Sequence, residues 1–213
     1  MEALATQEIV TQKPSASKNG GTARHNQSTL PLEERTDLTI SEVEALGITE
    51  PYELIDGRII FKMAYPKHGT FLSEITIDLG IYLRQNPIGT LMTDLSVRLA
   101  TDDEQNLRRP DLAFYLNENA PTRDEPATRP PDLAVEIFAP DPGFLALLDK
   151  ADLYLSTGSK VVWIFIPSKA SVLVWTAEEK RWEYETLTCP ELLPGWSLNL
   201  KKFFVWPKTT TMK

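Results

Sequence analysis

Carboxylates interrupt two otherwise apolar segments of this sequence. Residues 132–138 alternate with the period of a strand, which places Glu136 on one face together with Ala134 and Phe138. Asp111 opens a second apolar run, residues 112–115. A buried carboxylate is costly unless it finds a partner, a metal ion or a proton. Two such groups on neighbouring strands would make an oxygen-rich site suited to magnesium or manganese.

A lysine that could reach these carboxylates lies in a later segment with helical periodicity. Lys150 stands at the edge of the apolar stripe of residues 143–156, one turn before Tyr154. From there its ammonium can position an attacking water or stabilise charge that develops on a phosphate. Asp111, Glu136 and Lys150 therefore have the chemistry that metal-assisted phosphodiester hydrolysis needs.

Each of these three residues also has a purely structural interpretation. Asp111, which follows a proline, would cap the backbone amides of a turn. Glu136 would pair with an arginine such as Arg98 or Arg109. Lys150 would be a solvated charge at the edge of its helix. Taken one at a time, the residues leave both interpretations open.

Three further polar residues are candidates for a supporting role around the site. His68 begins a helical segment on its apolar face, where it either caps the helix or orients substrate or metal-bound water. Glu53 alternates with Leu54 in a predicted hairpin and faces either the site or solvent. Asp132 shares the face of Glu136 and is either a third metal ligand or a cap at the start of its strand.

The elements that position these residues are predicted from periodicity and turn residues. Residues 1–36 are polar and lack a sustained period, which predicts a disordered leader. A short helix is expected at residues 39–48, and Asp56-Gly57 predicts a hairpin across residues 52–61. Helices are expected at residues 68–85 and 143–156, and strands at 90–99, 111–116, 132–138, 160–166 and 171–176. Residues 182–187 and 198–206 are expected to complete the sheet.

This order of elements predicts an α/β (α+β) fold with a mixed central sheet flanked by helices. The chain has 213 residues, of which 42% are hydrophobic, so we expect one domain at residues 37–206 and a tail at 207–213. A single cysteine, Cys189, and the lack of an apolar signal segment predict a cytoplasmic protein. The net charge of −8 counts against a protein that coats nucleic acid with high affinity.

Residues 52–204 resemble the widespread bacterial restriction-endonuclease-like family of the PD-(D/E)XK nuclease superfamily. The resemblance covers nearly the whole predicted domain, and its motifs agree in order and spacing. They lie at residues 52–57, 68–69, 109–114, 130–137, 150–158, 161–164 and 193–198. The resemblance implies a restriction endonuclease-like αβββαβ core, with an N-terminal hairpin and C-terminal β additions. In it, the aspartate of the Pro-Asp motif is Asp111 and the strand carboxylate is Glu136.

This resemblance also implies a function, a cofactor and partners. It implies an endonuclease that uses Mg²⁺ or Mn²⁺ to hydrolyse DNA and that forms a homodimer or a larger homo-oligomer. Phe138 stands where the superfamily motif has its lysine, and Lys150 on the following helix is the implied substitute. Residues 139–148 also depart from the family pattern. These departures and the acidic net charge favour a first alternative, a catalytically weakened or inactive module that acts in binding. The acidity also fits a second, a metal-dependent hydrolase of small phosphoesters.

Overall fold

The computed structural model describes residues 27–63, 65–100, 102–122, 125–139 and 143–205. Within these ranges, the helices are all too short or too polar to cross a membrane. Most of the predicted leader, residues 1–26, and the predicted tail lie outside the described residues. Residues 27–36 are described and contain two 3-10 helices, Gln27–Thr29 and Leu32–Glu34.

A six-stranded mixed sheet forms the centre of the fold. Its strands, in spatial order, are β3 (Gly89–Thr93), β4 (Leu112–Leu116), β5 (Leu133–Ile137), β6 (Val161–Ile166), β7 (Ser171–Thr176) and β8 (Lys180–Glu183). Only β5 and β6 pair in parallel, and the other four pairs in this sheet are antiparallel. The parallel pair is connected by a helix on one face of the sheet, as a crossover connection requires.

Helices cover both faces of this sheet. Helix α2 (Pro66–Gln85) buries Phe71, Ile75 and Leu79 against one face. Helix α3 (Phe144–Thr157) buries Leu147, Ala151 and Tyr154 against the other. The predicted class, a mixed central sheet flanked by helices, is therefore confirmed.

A separate β-hairpin packs beside the sheet. Strands β1 (Tyr52–Ile55) and β2 (Arg58–Phe61) flank Asp56 and Gly57, whose φ angles of 48° and 74° are those of the predicted type I′ turn. The hairpin shares a small core with helix α1 (Ile40–Ala45). The backbones of Leu54 and Leu107 exchange two hydrogen bonds of 2.9 Å. This pairing attaches the hairpin to the segment that leads into β4.

Two strand predictions were wrong in extent. The strand predicted at residues 90–99 ends at Thr93, because Asp94 has a φ of 51° and turns the chain out of the sheet. Residues 182 and 183 end β8 of the central sheet, but the residues beyond them do not extend it. Instead, β9 (Thr186–Thr188) and β10 (Ser197–Asn199) form their own two-stranded sheet, followed by helix α4 (Leu200–Phe203). Trp206, the last residue of that predicted strand, lies outside the described residues.

Candidate active site

Asp111 lies immediately before β4, and its carboxylate contacts three other segments of the chain. Its Oδ2 accepts hydrogen bonds from the backbone N–H of Ile137 at 2.8 Å and from His68 Nε2 at 2.9 Å. Its Oδ1 accepts a hydrogen bond from Lys62 Nζ at 2.6 Å. The side chain is only 4% exposed. Because Ile137 follows Glu136 directly, the bond to its N–H brings the two predicted carboxylates to one place.

Glu136 and Lys150 form a buried ion pair between β5 and α3. The Oε1 of Glu136 lies 2.7 Å from Lys150 Nζ and accepts a 3.4 Å hydrogen bond from the hydroxyl of Tyr154. Strand periodicity turns Glu136 towards α3, since Ala134 packs on that face while Val135 and Ile137 pack on the other. Glu136 is therefore paired with a lysine and not with an arginine.

The two arginines that were the alternative partners of Glu136 are used elsewhere. Arg98 pairs with Glu104 at 2.7 Å. The guanidinium of Arg109 bonds to the hydroxyl of Ser96 at 3.1 Å, while its backbone carbonyl accepts from Lys150 Nζ at 3.1 Å. The carbonyl of residue 109, not its side chain, therefore takes part in the site.

Glu53 joins the site from the hairpin. Its Oε1 lies 2.6 Å from Lys150 Nζ and accepts a 2.7 Å hydrogen bond from the backbone N–H of Arg109. The side chain is 10% exposed, so Glu53 is not a surface charge. The structure thus brings together five of the six residues that the sequence singled out, namely Glu53, His68, Asp111, Glu136 and Lys150.

Burial and neighbouring charges shift the pKa values of these groups in different directions. Burial alone would raise the pKa of Asp111, but the hydrogen bond from His68 and the charge of Lys62 hold it well below its usual range. Burial raises the pKa of Glu136 to about 7, despite the nearby Lys150. Burial would lower the pKa of Lys150, but Glu136 and Glu53 raise it above its usual value. The site therefore combines an ionised aspartate, a cationic lysine and a glutamate that can accept a proton near neutrality.

A pocket of about 350 Å³ opens onto these charged groups. That volume is near the lower end of the range for small-molecule sites. Apolar side chains from the hairpin, β5 and α3 form much of its wall: Ile55, Ile60, Phe61, Met63, Ile137, Ala139, Ala146 and Leu147. The charged groups therefore lie in a partly open cleft whose wall is largely apolar.

The donor atoms in this pocket fit a divalent cation in their chemistry. Asp111 and Glu136 supply hard carboxylate oxygens, and Mg²⁺ is commonly held by one or two carboxylates while waters and substrate phosphates complete its coordination. Among the residues that the structure describes, no group of three or more His, Cys, Asp or Glu side chains has the arrangement of a metal site. If a cation binds in this pocket, Asp111 and Glu136 are the carboxylates that would hold it.

Sequence reasoning missed two side chains that contact the predicted trio. Lys62 follows β2 and contacts Asp111, while Tyr154 contacts Glu136. Tyr154 was recognised as part of the apolar stripe of α3, and its position one turn after Lys150 was an available signal. For Lys62 no local signal exists, because its contact with Asp111 joins residues 49 positions apart.

Asp132 is not part of the site. Its carboxylate accepts hydrogen bonds from the backbone N–H of Leu116 at 2.9 Å and from Asn119 Nδ2 at 2.8 and 3.0 Å. Asp132 lies four positions before Glu136, a distance of about 13 Å along the strand. Asp132 therefore caps the loop after β4 at the opposite end of β5, which is the cap alternative and not the metal-ligand one.

We expect the variant Asp132→Ala to be less stable without a change at the pocket. Leu116 and Asn119 would lose a buried acceptor, which costs about 1–3 kcal/mol in the free energy of unfolding. Urea denaturation measures this loss, and Asp152→Ala on the exposed side of α3 is the matched control. A change in divalent-metal binding by Asp132→Ala, measured by calorimetry, would show that Asp132 does take part in the site.

The chain has relatives in sequence and in structure. A sequence model of the Uma2 family, described as "Putative restriction endonuclease", matches residues 42–204. A search of curated proteins gives no match. The fold is similar to a crystal structure described as that of "a putative nuclease belonging to DUF820" from Anabaena variabilis ATCC 29413. The TM-score is 0.68, with 22% identity over 78% of this chain and 97% of that chain.

Proposed function

Because the chain belongs to the Uma2 family, we propose that it is a nuclease that uses a divalent metal ion to hydrolyse phosphodiester bonds in DNA. Family membership supports a nuclease-like function in general. The metal ion, the DNA substrate and the roles of individual residues are the proposed part. They are supported by the contacts within the pocket.

The observation that carries the proposal is the convergence of Lys150 and Glu136 beside Asp111. These three residues come from α3, β5 and the start of β4, and their side chains are between 2% and 10% exposed. A fold that needed only stability would gain little from a buried ion pair, because apolar residues of similar volume stabilise as well or better. The charges are therefore better explained by chemistry than by packing.

The roles of the residues follow from their contacts. Asp111 and Glu136 would hold the cation, which when bound supplies positive charge to the phosphate and makes water more acidic. His68 and the N–H of Ile137 hold the carboxylate of Asp111 in orientation. Lys150 holds Glu136 and Glu53 and places a fixed positive charge where negative charge develops on the phosphate.

The proposal is tested by cleavage of plasmid and single-stranded DNA with Mg²⁺ and with Mn²⁺. We expect Asp111→Asn and Glu136→Gln each to lower the cleavage rate by about 10²–10³-fold, since each weakens the site that would hold the cation whose charge acts on the transition state. EDTA should abolish cleavage by the wild type. Circular dichroism confirms that the variants are folded before they are compared.

The matched control is Asp152→Asn, which makes the same chemical change on an exposed part of α3. We expect it to cleave DNA at the wild-type rate. Equal cleavage by the wild type, Asp111→Asn and Glu136→Gln would show that any activity comes from elsewhere. The fold would then act as a binding module.

The small volume of the pocket favours a second candidate, hydrolysis of small phosphoesters. A cleft of about 350 Å³ accommodates a nucleotide-sized molecule, and the net charge of −8 does not attract a long polyanion. Bis(p-nitrophenyl) phosphate and cyclic nucleotides, assayed beside DNA with the same variants, separate the two candidates. Faster turnover of the small esters would favour the second one.

The assembly and location of the protein stay predictions. A homodimer would let two single sites cut two strands, and this expectation rests on analogy with nucleases of the same fold class. Analytical ultracentrifugation measures the assembly state directly. The cytoplasmic location likewise rests on the sequence alone.

A further inference from the structure

Lys62 occupies the side of Asp111 at which a metal ion would bind. Its Nζ lies 2.6 Å from Oδ1 of Asp111, while His68 Nε2 and the N–H of Ile137 occupy Oδ2. Three of the roughly four lone-pair sites of the carboxylate are therefore engaged within the protein. The site that is left lies on Oδ1, where a metal ion would meet the ammonium of Lys62 and would bind more tightly if that ammonium moved away.

Of the three donors, Lys62 is the one that can leave. The N–H of Ile137 belongs to the backbone of β5, and His68 is held on the first turn of α2. The backbone N–H of Lys62 is fixed by a 2.8 Å hydrogen bond to the carbonyl of Pro51, whereas its long side chain is flexible and 23% exposed. Its ammonium can therefore move into solvent while its backbone stays in place.

The net charge of the pocket lining also favours departure of Lys62 when a divalent cation binds. Four acidic side chains line it, Glu53, Asp111, Glu136 and Asp149, against three cationic ones, Lys62, Arg108 and Lys150. With all four carboxylates counted as ionised and His68 as neutral, the lining carries a charge of −1. Once the Lys62 ammonium has left, the charge is −2, which a divalent cation neutralises.

We propose that Lys62 is a built-in competitor that sets the affinity of the Asp111–Glu136 pair for divalent metal ions. The inference rests on the proposed function, because it concerns the same site. Lys62 also donates a 2.9 Å hydrogen bond to the carbonyl of Arg109, which accepts from Lys150 as well. The two ammonium groups thus share one acceptor, and their mutual repulsion favours release of the more exposed Lys62 when a metal ion arrives.

Calorimetric titration of Mn²⁺ into the metal-free full-length protein tests this inference. We expect Lys62→Met, which keeps the length of the side chain and removes its charge, to bind Mn²⁺ at least about tenfold more tightly than the wild type. Electron paramagnetic resonance of bound Mn²⁺ provides a second readout that does not depend on catalysis. Lys62→Gln is a second variant in case Lys62→Met fails to fold.

The matched control is Lys160→Met, which removes one exposed lysine beside Asp132, at the other end of β5. We expect it to bind Mn²⁺ as the wild type does. The double variant Lys62→Met/Asp111→Asn should lose the gain, because the gained affinity requires the freed carboxylate. The inference would be overturned if both Lys62 variants bound Mn²⁺ as weakly as the wild type or more weakly. It would also be overturned if neither the wild type nor any variant bound Mn²⁺.

The outcome is separable from that of the proposed function. Tighter metal binding by Lys62→Met without DNA cleavage would support the role of Lys62 and reject the nuclease. Cleavage that depends on Asp111 and Glu136, together with unchanged metal affinity in Lys62→Met, would support the nuclease and reject the role of Lys62.

Discussion

Lys150→Met is expected to lower the free energy of unfolding by about 3–5 kcal/mol. The ammonium of Lys150 lies 2.6 Å from Glu53 and 2.7 Å from Glu136, and the side chains are at most 10% exposed. Its removal leaves two buried carboxylates without their cation, and uncompensated buried charge is far more costly than a lost surface ion pair. Urea denaturation of the metal-free protein near neutral pH measures the change.

A charge-balanced variant tests whether the cost comes from unpaired charge. Glu53→Gln/Glu136→Gln/Lys150→Met has neutral side chains of similar size at all three positions, so we expect it to recover much of the lost stability. The exposed Lys160→Met should change the unfolding free energy by less than about 0.5 kcal/mol. A loss of that small size for Lys150→Met would mean that the buried contacts to Glu53 and Glu136 contribute nothing to stability.

Asp111 and Glu136 were predictable because each one interrupts an otherwise apolar segment of the sequence. Glu136 is the only charged residue in β5, and the strand period indicates the face on which it lies. The same period placed Asp132 on that face, although the strand rise already puts it about 13 Å from Glu136 along the strand. The sequence could not show the partners of Asp132, because Leu116 and Asn119 belong to another segment of the chain.

The contribution of the hairpin was not predictable in the same way. Glu53 and Lys62 reach the site because the hairpin pairs through Leu54 with Leu107, more than 50 residues away. The turn at Asp56-Gly57 could be recognised from two adjacent residues, whereas the docking of the hairpin depends on contacts that are distant in sequence. Local sequence thus predicts the elements of the fold, but the ammonium of Lys62 comes to lie beside Asp111 only when the whole chain has folded.

The ends of the central sheet were mispredicted for a related reason. Residues 182–187 and 198–206 have the composition of strands, but β8 ends at Glu183, and β9 pairs with β10 instead. Strand propensity shows that a segment fits a pleated, half-buried surface, and it does not identify the partner strand. Helix α4 then packs Leu200 into the same core that α2 covers.

The stability of Asp111→Asn should depend on pH in a way that identifies Asp111 as an ionised group. In the folded protein the pKa of Asp111 is held well below its usual range by His68 and Lys62. A lowered pKa stabilises the folded state above the unfolded-state pKa, near about 3.9, and this stabilisation is lost as the pH falls further. At pH 5 we expect Asp111→Asn to be less stable than the wild type by about 3–5 kcal/mol.

The difference should shrink by about 1 kcal/mol between pH 5 and pH 3, because the unfolded wild type takes up a proton that the folded protein does not. Urea denaturation in EDTA at both pH values gives the two differences, with the exposed Asp152→Asn as the charge-matched control. A difference that stays constant or grows on acidification would mean that neither Lys62 nor His68 stabilises an ionised Asp111. In that case the competition between Lys62 and a metal ion would lose its physical basis.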